Sequence, residues 1–377
     1  MKETLNLYLK SMINNSGSDL HLKANSIPRV RINGVLKQIG KEQLANKELD
    51  AIVKSITTQE QYTRLQEDKN LDFTYILSED YRFRVNIFYQ MEGLSAVFRI
   101  IPVKILPIDE LKLPQVIHEF TQIQRGLVLV TGVTGSGKST TLAAIIDKIN
   151  RETQKHIITI EDPIEFIHKD RGCLINQRAI GQDTHSFSDA LRAALREDPD
   201  IILVGEMRDL ETIDIALHAA NTGHLVFSTL HTLDAKETID RIIGMFAKEE
   251  QNRIRASLSS VLEGVISQRL IPDRHGGRTA AVEVLKKTAR IEQLIRENRD
   301  YEIPDAIFEG KDIYGTQTFD QALLDLLKDK RITNEVALEY ATNPADMKLK
   351  LSGVGKGAII SDEAKDTRTD IFEFKED

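Results

Sequence analysis

Residues 127–149 constrain this chain more than any other stretch. Leu127 to Thr131 is a short apolar run, Gly132-Val133-Thr134-Gly135-Ser136-Gly137-Lys138-Ser139 is glycine-rich, and Thr140 to Ile149 has the apolar spacing of a helix. The middle segment fits G-x-x-x-x-G-K-[ST] at every fixed position. Glycines let the backbone curl so that successive N–H groups point inward, and the helix N-terminus adds partial positive charge. That chemistry holds the phosphates of ATP. Lys138 is expected to reach the β- and γ-phosphates and Ser139 to ligate Mg²⁺, with Thr134, Gly135, Ser136, Gly137 and Thr140 completing the cradle. The competing reading is a glycine-rich turn without a ligand, and the strand and helix on either side count against it.

Hydrolysis also needs acids, one to orient or deprotonate water and another near the metal. Ile201 to Val204 is an apolar run followed by Gly205 and Glu206, and Ile158 to Ile160 runs into Glu161-Asp162-Pro163-Ile164-Glu165. In an open α/β sheet both strand ends face the ligand crevice, so Glu206 and the acids Glu161, Asp162 and Glu165 are candidate catalytic carboxylates, with Glu206 a candidate metal partner. Taken alone, either cluster also reads as solvated loop residues or helix caps. The residue before such a glutamate is usually Asp, and here it is Gly205.

His224 and His231 lie at the two ends of a further apolar run, Leu225 to Thr229, where a γ-phosphate sensor or plain structural histidines both fit. Arg84, Arg99 and Arg196 are candidates to reach a nucleotide across an interface, because a guanidinium binds phosphate bidentately. From the residues alone, a solvated strand face or structural ion pairs remains the competing reading for them.

The first hundred residues read as a small α/β domain. Leu5 to Ile13 has helical spacing, 18–22, 29–32, 71–77, 81–89 and 94–101 read as strands, and Asn33-Gly34 marks a tight hairpin turn. Phe83, Val85 and Ile87 would share one face and Arg82, Arg84 and Asn86 the other. Pro102, Pro107 and Pro114 suggest a linker. From about residue 119 apolar strands alternate with helices, which predicts a parallel sheet covered on both faces. A more helical region is expected from Glu249 to Met347. The expected domains are 1–101, a linker 102–118, an ATPase domain 119–350 and a disordered acidic tail 351–377. The formal net charge of −8 argues against non-specific nucleic-acid binding. One cysteine, Cys173, rules out an internal disulfide or a multi-cysteine zinc site. A polar N-terminus and the lack of any apolar stretch of roughly 20 residues predict a cytoplasmic protein.

Several stretches together resemble the PilT-type retraction ATPases of bacterial type IV pili, within the wider secretion ATPase superfamily. They are 18–22, the phosphate loop, Ile160 to Phe166, Leu195 to Asp200, Val204 to Asp209 and Thr222 to Phe227. The resemblance covers about residues 1 to 350. It implies a PAS-like N-terminal α+β domain, a RecA-like C-terminal P-loop ATPase domain, nucleotide between them, and a homohexameric ring. It further implies Glu165 and Glu206 as catalytic glutamates, His224 and His231 as a histidine box, and Arg84 and Arg99 reaching the nucleotide. Expected partners are an inner-membrane pilus platform protein of the PilC type and a paralogous pilus ATPase, with peripheral association with the inner membrane. In the family's helix motif Ala-Ile-Arg-Asn-Leu-Ile-Arg-Glu, this chain has Arg290 to Glu297 with Glu292 in place of Arg, and the tail is extra. A PilU-like accessory ATPase is therefore the alternative to the main motor. A DNA-translocating RecA-like ring and a non-hydrolysing scaffold are the remaining alternatives. The acidic balance counts against the first, and intact Lys138, Ser139, Glu165 and Glu206 against the second.

Overall fold

Alternating apolar residues build the N-terminal sheet. In this computed structural model, which describes residues 1–32, 34–78, 81–101 and 105–352, the first strands are β1 (Asp19–Lys23), β2 (Arg29–Ile32), β3 (Val35–Gln38), β4 (Asn70–Ile76), β5 (Arg82–Gln90) and β6 (Gly93–Ile101). They pair antiparallel in the order β3-β2-β1-β6-β5-β4. Ile32 pairs with Val35, so Gly34, at φ 82°, serves the expected hairpin, while Asn33 lies outside the described residues. Phe83, Val85 and Ile87 are buried against the helices Lys2–Asn14 and Asn46–Ile56; Arg82, Arg84 and Asn86 alternate onto the other face.

The second sheet contains β7 (Gly126–Thr131), β8 (His156–Glu161), β9 (Leu174–Ala179), β10 (Ile201–Val204), β11 (Leu225–Leu230), β12 (Leu262–Pro272) and β13 (Arg278–Lys286). Its order is β13-β12-β7-β11-β10-β8-β9, parallel throughout except the β12–β13 pair. Both faces are covered. Val128, Val130, Leu203 and Phe227 meet the helix Lys138–Glu152 and residues 108–120. Leu127, Leu129, Ile158, Ile202 and Val226 meet the helices Phe187–Ala194, Leu210–Asn221, Ala235–Gly244 and Lys248–Val261. This sheet explains why the apolar runs carry no alternation.

Two expectations need correction. The region from Glu249 is not simply helical, because β12 and β13 form a long antiparallel hairpin inside it, which makes the sheet mixed. Ile108, Leu113, Val116 and Ile117, in the stretch read as linker, are buried against the second sheet, where their apolar side chains cover β7 and β11. Pro102 and the tail from 353 onward lie outside the described residues.

Candidate active site

The carboxyl ends of β7, β8, β10 and β11 open on one cavity of about 540 Å³. Its lining contains Thr134, Gly135, Gly137, Lys138, Ser139 and Thr140 from the glycine-rich loop and the helix behind it. The loop glycines adopt backbone angles that side chains resist: φ is 139° at Gly132, 79° at Gly135 and 96° at Gly137. At Gly132 a β-carbon would also lie 2.4 Å from the carbonyl oxygen of Gln268. Lys138 is buried, and its Nζ donates to the carbonyl oxygens of Gly132 at 2.8 Å and Val133 at 3.1 Å. Burial lowers the Lys138 pKa, while Glu206 and Glu165 pull it back up, so a cation faces two carboxylates across the cavity. Ser136 Oγ is buried without a hydrogen-bond partner in the same loop.

Glu165 and Glu206 both line the cavity. Glu206 Oε2 accepts from Arg208 Nε at 2.8 Å, and its Oε1 lies 3.3 Å from His231 Nε2. Glu161 lines the cavity too, but its carboxylate is tied to side chains of β8 and β9. Its Oε1 accepts from Thr159 Oγ1 at 2.6 Å and Gln177 Nε2 at 3.2 Å, and burial raises its pKa. Gly205 has a local reason. Its N–H donates to Ile160 O at 2.7 Å, and a β-carbon there would sit 3.2 Å from that oxygen and 3.3 Å from Glu161 Cα. The approach of β8 leaves little room for an aspartate. His168, in the cavity wall, has its pKa lowered to about 4 by burial.

The other candidates divide. Arg84 reaches the cavity from the N-terminal sheet, with a 3.7 Å ion pair to Asp72. Arg99 is not among the lining residues; its Nε donates to Asp19 Oδ1 at 2.7 Å. Burial pushes the Asp19 carboxyl up, but the bonds from Ser18 and Arg99 outweigh it and hold it below its ordinary value. The structure does not bring His224 to the cavity. It sits at the start of β11, about 17 Å along the strand from Thr229, with Nδ1 3.0 Å from Ala219 O. Sequence reasoning missed Arg278 and Leu270, which line the cavity from β13 and β12. It also missed Gln268, which supports the loop by donating to Thr141 Oγ1 at 2.9 Å. Arg278 follows Gly276-Gly277, a turn signal that could have marked the hairpin.

The family model for type II/IV secretion system proteins matches residues 1–337. The chain belongs to the type II/IV secretion system protein family. Among relatives in this family, it is 49% identical over 327 residues to the type IV pilus retraction ATPase PilT of Pseudomonas aeruginosa, covering 87% of this chain and 95% of that protein. It is 38% identical over 344 residues to the type IV pilus ATPase PilU of the same organism, covering 91% and 90%. A crystal structure of the pilus retraction motor PilT with bound ADP matches with a TM-score of 0.85 at 44% identity, covering 91% of this chain and 98% of that one. As in its family, the chain is an ATPase of mixed α/β architecture. Among the described residues no helix is long and apolar enough to cross a membrane.

Proposed function

We propose that this chain is the ATP-hydrolysing motor that powers type IV pilus retraction, disassembling the pilus into the inner membrane. One observation carries the reading: a phosphate-loop lysine faces two strand-end carboxylates in a single cavity, on a chain similar over most of its length to a pilus retraction ATPase. The residues fit ATP and Mg²⁺. The loop at Gly132 has no room for a β-carbon, the Lys138 ammonium is held only by neutral carbonyls, and Ser136 Oγ lacks a partner. Among the described residues no three His, Cys, Asp or Glu form a metal cage, and Mg²⁺ uses few protein ligands when phosphates supply the rest.

Bound Mg-ATP supplies the phosphoryl bond and the cation that draws charge from it. In this reading Thr134, Gly135, Ser136, Gly137 and Thr140 cradle the phosphates and Lys138 neutralises the outer ones. Ser139 and Glu206 would hold Mg²⁺. Glu165 orients or deprotonates the attacking water, and His231 steadies Glu206. Arg84 and Arg278 add positive charge from the N-terminal sheet and from β13. The architecture is read as a PAS-like domain over 1–101 and a RecA-like domain over 119–350. Six copies form a ring in the cytoplasm against an inner-membrane platform protein of the PilC type, with a paralogous pilus ATPase as a second partner. Arg99 and His224, which stand away from the cavity within one chain, are assigned to contacts made in that ring.

A second reading, an accessory ATPase of the PilU kind, is favoured by one observation. On the helix Ala289–Arg296, Glu292 pairs with Arg296 and Arg290 with Glu309, so the altered surface neutralises its own charge. Twitching separates the two. In cells whose chromosomal copy carries Glu165→Gln, the motor reading predicts piliated cells that do not twitch. Undiminished twitching in that strain would overturn it.

A further inference from the structure

Glu283 lies on β13, outside the cavity lining, and is 7% exposed. A buried carboxylate is costly unless hydrogen-bonded, and Glu283 Oε1 accepts the backbone N–H of Ala235 at 2.8 Å. Ala235 is the first residue of the helix Ala235–Gly244, so the carboxylate meets an unsatisfied N–H at the positive end of the helix. The N-cap role is already filled: Asp234 Oδ1 accepts from Glu237 N at 2.7 Å.

The loop that enters this helix carries His231, 3.3 Å from Glu206. Within the loop and its own helix, Thr232 Oγ1 lies 2.7 Å from Thr238 Oγ1, and Leu233 N donates to Glu237 Oε2 at 2.8 Å. The Ala235–Glu283 bond, by contrast, ties the loop to the sheet. Glu283 stands opposite Ser267 in the β12–β13 register. Thr131 Oγ1, at the end of β7 just before the phosphate loop, donates to Ser267 Oγ at 3.0 Å. Polar groups are thus buried in sequence from the root of the phosphate loop to the root of the His231 loop. The charged groups around Glu283 are otherwise engaged. Arg269 donates to Tyr340 O at 3.1 Å and stacks 3.8 Å over the Phe319 ring. Asp320 accepts from Thr342 N at 2.7 Å and Asn343 N at 3.2 Å, and Asp234 caps its helix.

We infer that Glu283 is a positioning residue for hydrolysis: through the Ala235 N–H it holds the His231 loop so that His231 meets Glu206, and it fixes that loop to the hairpin behind the phosphate loop. The inference rests on reading Glu206 and His231 as hydrolytic residues. Its effect belongs in turnover and not in ATP binding, because the bond acts on the carboxylate end of the cavity.

Steady-state Mg-ATPase kinetics of the assembled full-length protein test it. Glu283→Ala is expected to lower kcat about tenfold with KM changed less than about twofold. Glu283→Gln, which keeps an acceptor for Ala235, recovers most of that loss. The double variant His231→Ala/Glu283→Ala is no slower than His231→Ala, since residues that act through one another are non-additive. Should Glu283→Ala fail to fold, Ala235→Pro/Glu283→Ala probes the same bond. It removes donor and acceptor together, leaves neither unpaired, and places proline at the first helical position, where it is tolerated. The same tenfold loss is expected of it. A wild-type kcat for Glu283→Ala beside an impaired His231→Ala overturns the positioning role alone. Losses that multiply in the double variant overturn the route through His231. A wild-type kcat for His231→Ala overturns this inference together with the reading of the site.

Discussion

At the residue scale, burial decides which acids can work. Glu161 and Glu165 are four positions apart at the end of one strand and both line the cavity, yet the Glu161 carboxylate is tied up by Thr159 and Gln177. The sequence presents both as equal candidates, because what separates them is the Gln177 side chain on β9, a neighbour no local spacing announces. Glu283 offers a titration test. Burial lifts its pKa to about 7, against an ordinary value of 4.5. The folded state therefore holds a proton that the unfolded chain has lost, and this contribution is fully present below pH 4.5 and disappears as pH rises through about 7. The lost stability amounts to about 3 kcal/mol, at 1.36 kcal/mol per pKa unit. Denaturant titrations of wild type at pH 5 and 7.5 should show most of that fall, about 2 kcal/mol, and Glu283→Gln, which does not titrate, should flatten it. An equal fall in both proteins would contradict the raised value.

At the element scale, strands with uniform chemistry were legible and strands with mixed duty were not. Ile201–Val204 appears in the structure with the bounds its apolar run predicts. By contrast β12 continues directly from the helix Lys248–Val261 and carries Ser267, Gln268 and Arg269 among its apolar residues. Those polar residues are there because Ser267 bonds Thr131 and Gln268 bonds Thr141, so the strand that braces the phosphate loop loses its apolar signature. The N-terminal sheet makes a second case. Period-two alternation put Arg84 on the outer face, and only the fold shows that this face meets the cavity. Arg84→Ala should therefore lower kcat/KM about tenfold, the loss of one charge-assisted contact. In Arg99→Ala the buried Asp19 is left with Ser18 as its hydrogen-bond partner, and a stability loss of about 1 kcal/mol is expected. Kinetics and melting of the two variants side by side check this, and a larger kinetic loss from Arg99 would place it at the nucleotide of the assembled ring.

At the scale of the whole molecule, the two sheets divide the work. The second supplies loop, lysine and carboxylates from strand ends on one side, as its parallel order requires. The first brings Arg84 to the same cavity, and in the proposed function ATP turnover there is coupled to displacement of one sheet against the other. That coupling of ATP turnover to displacement is what a retraction motor needs. The most direct test is Mg-dependent ATPase activity of the purified protein beside Lys138→Ala and Glu165→Gln, with the mass of each determined in solution. We expect a hexamer that turns over ATP and two variants of the same mass without turnover. A wild-type hexamer that binds ATP but hydrolyses it no faster than Glu165→Gln would contradict the motor reading.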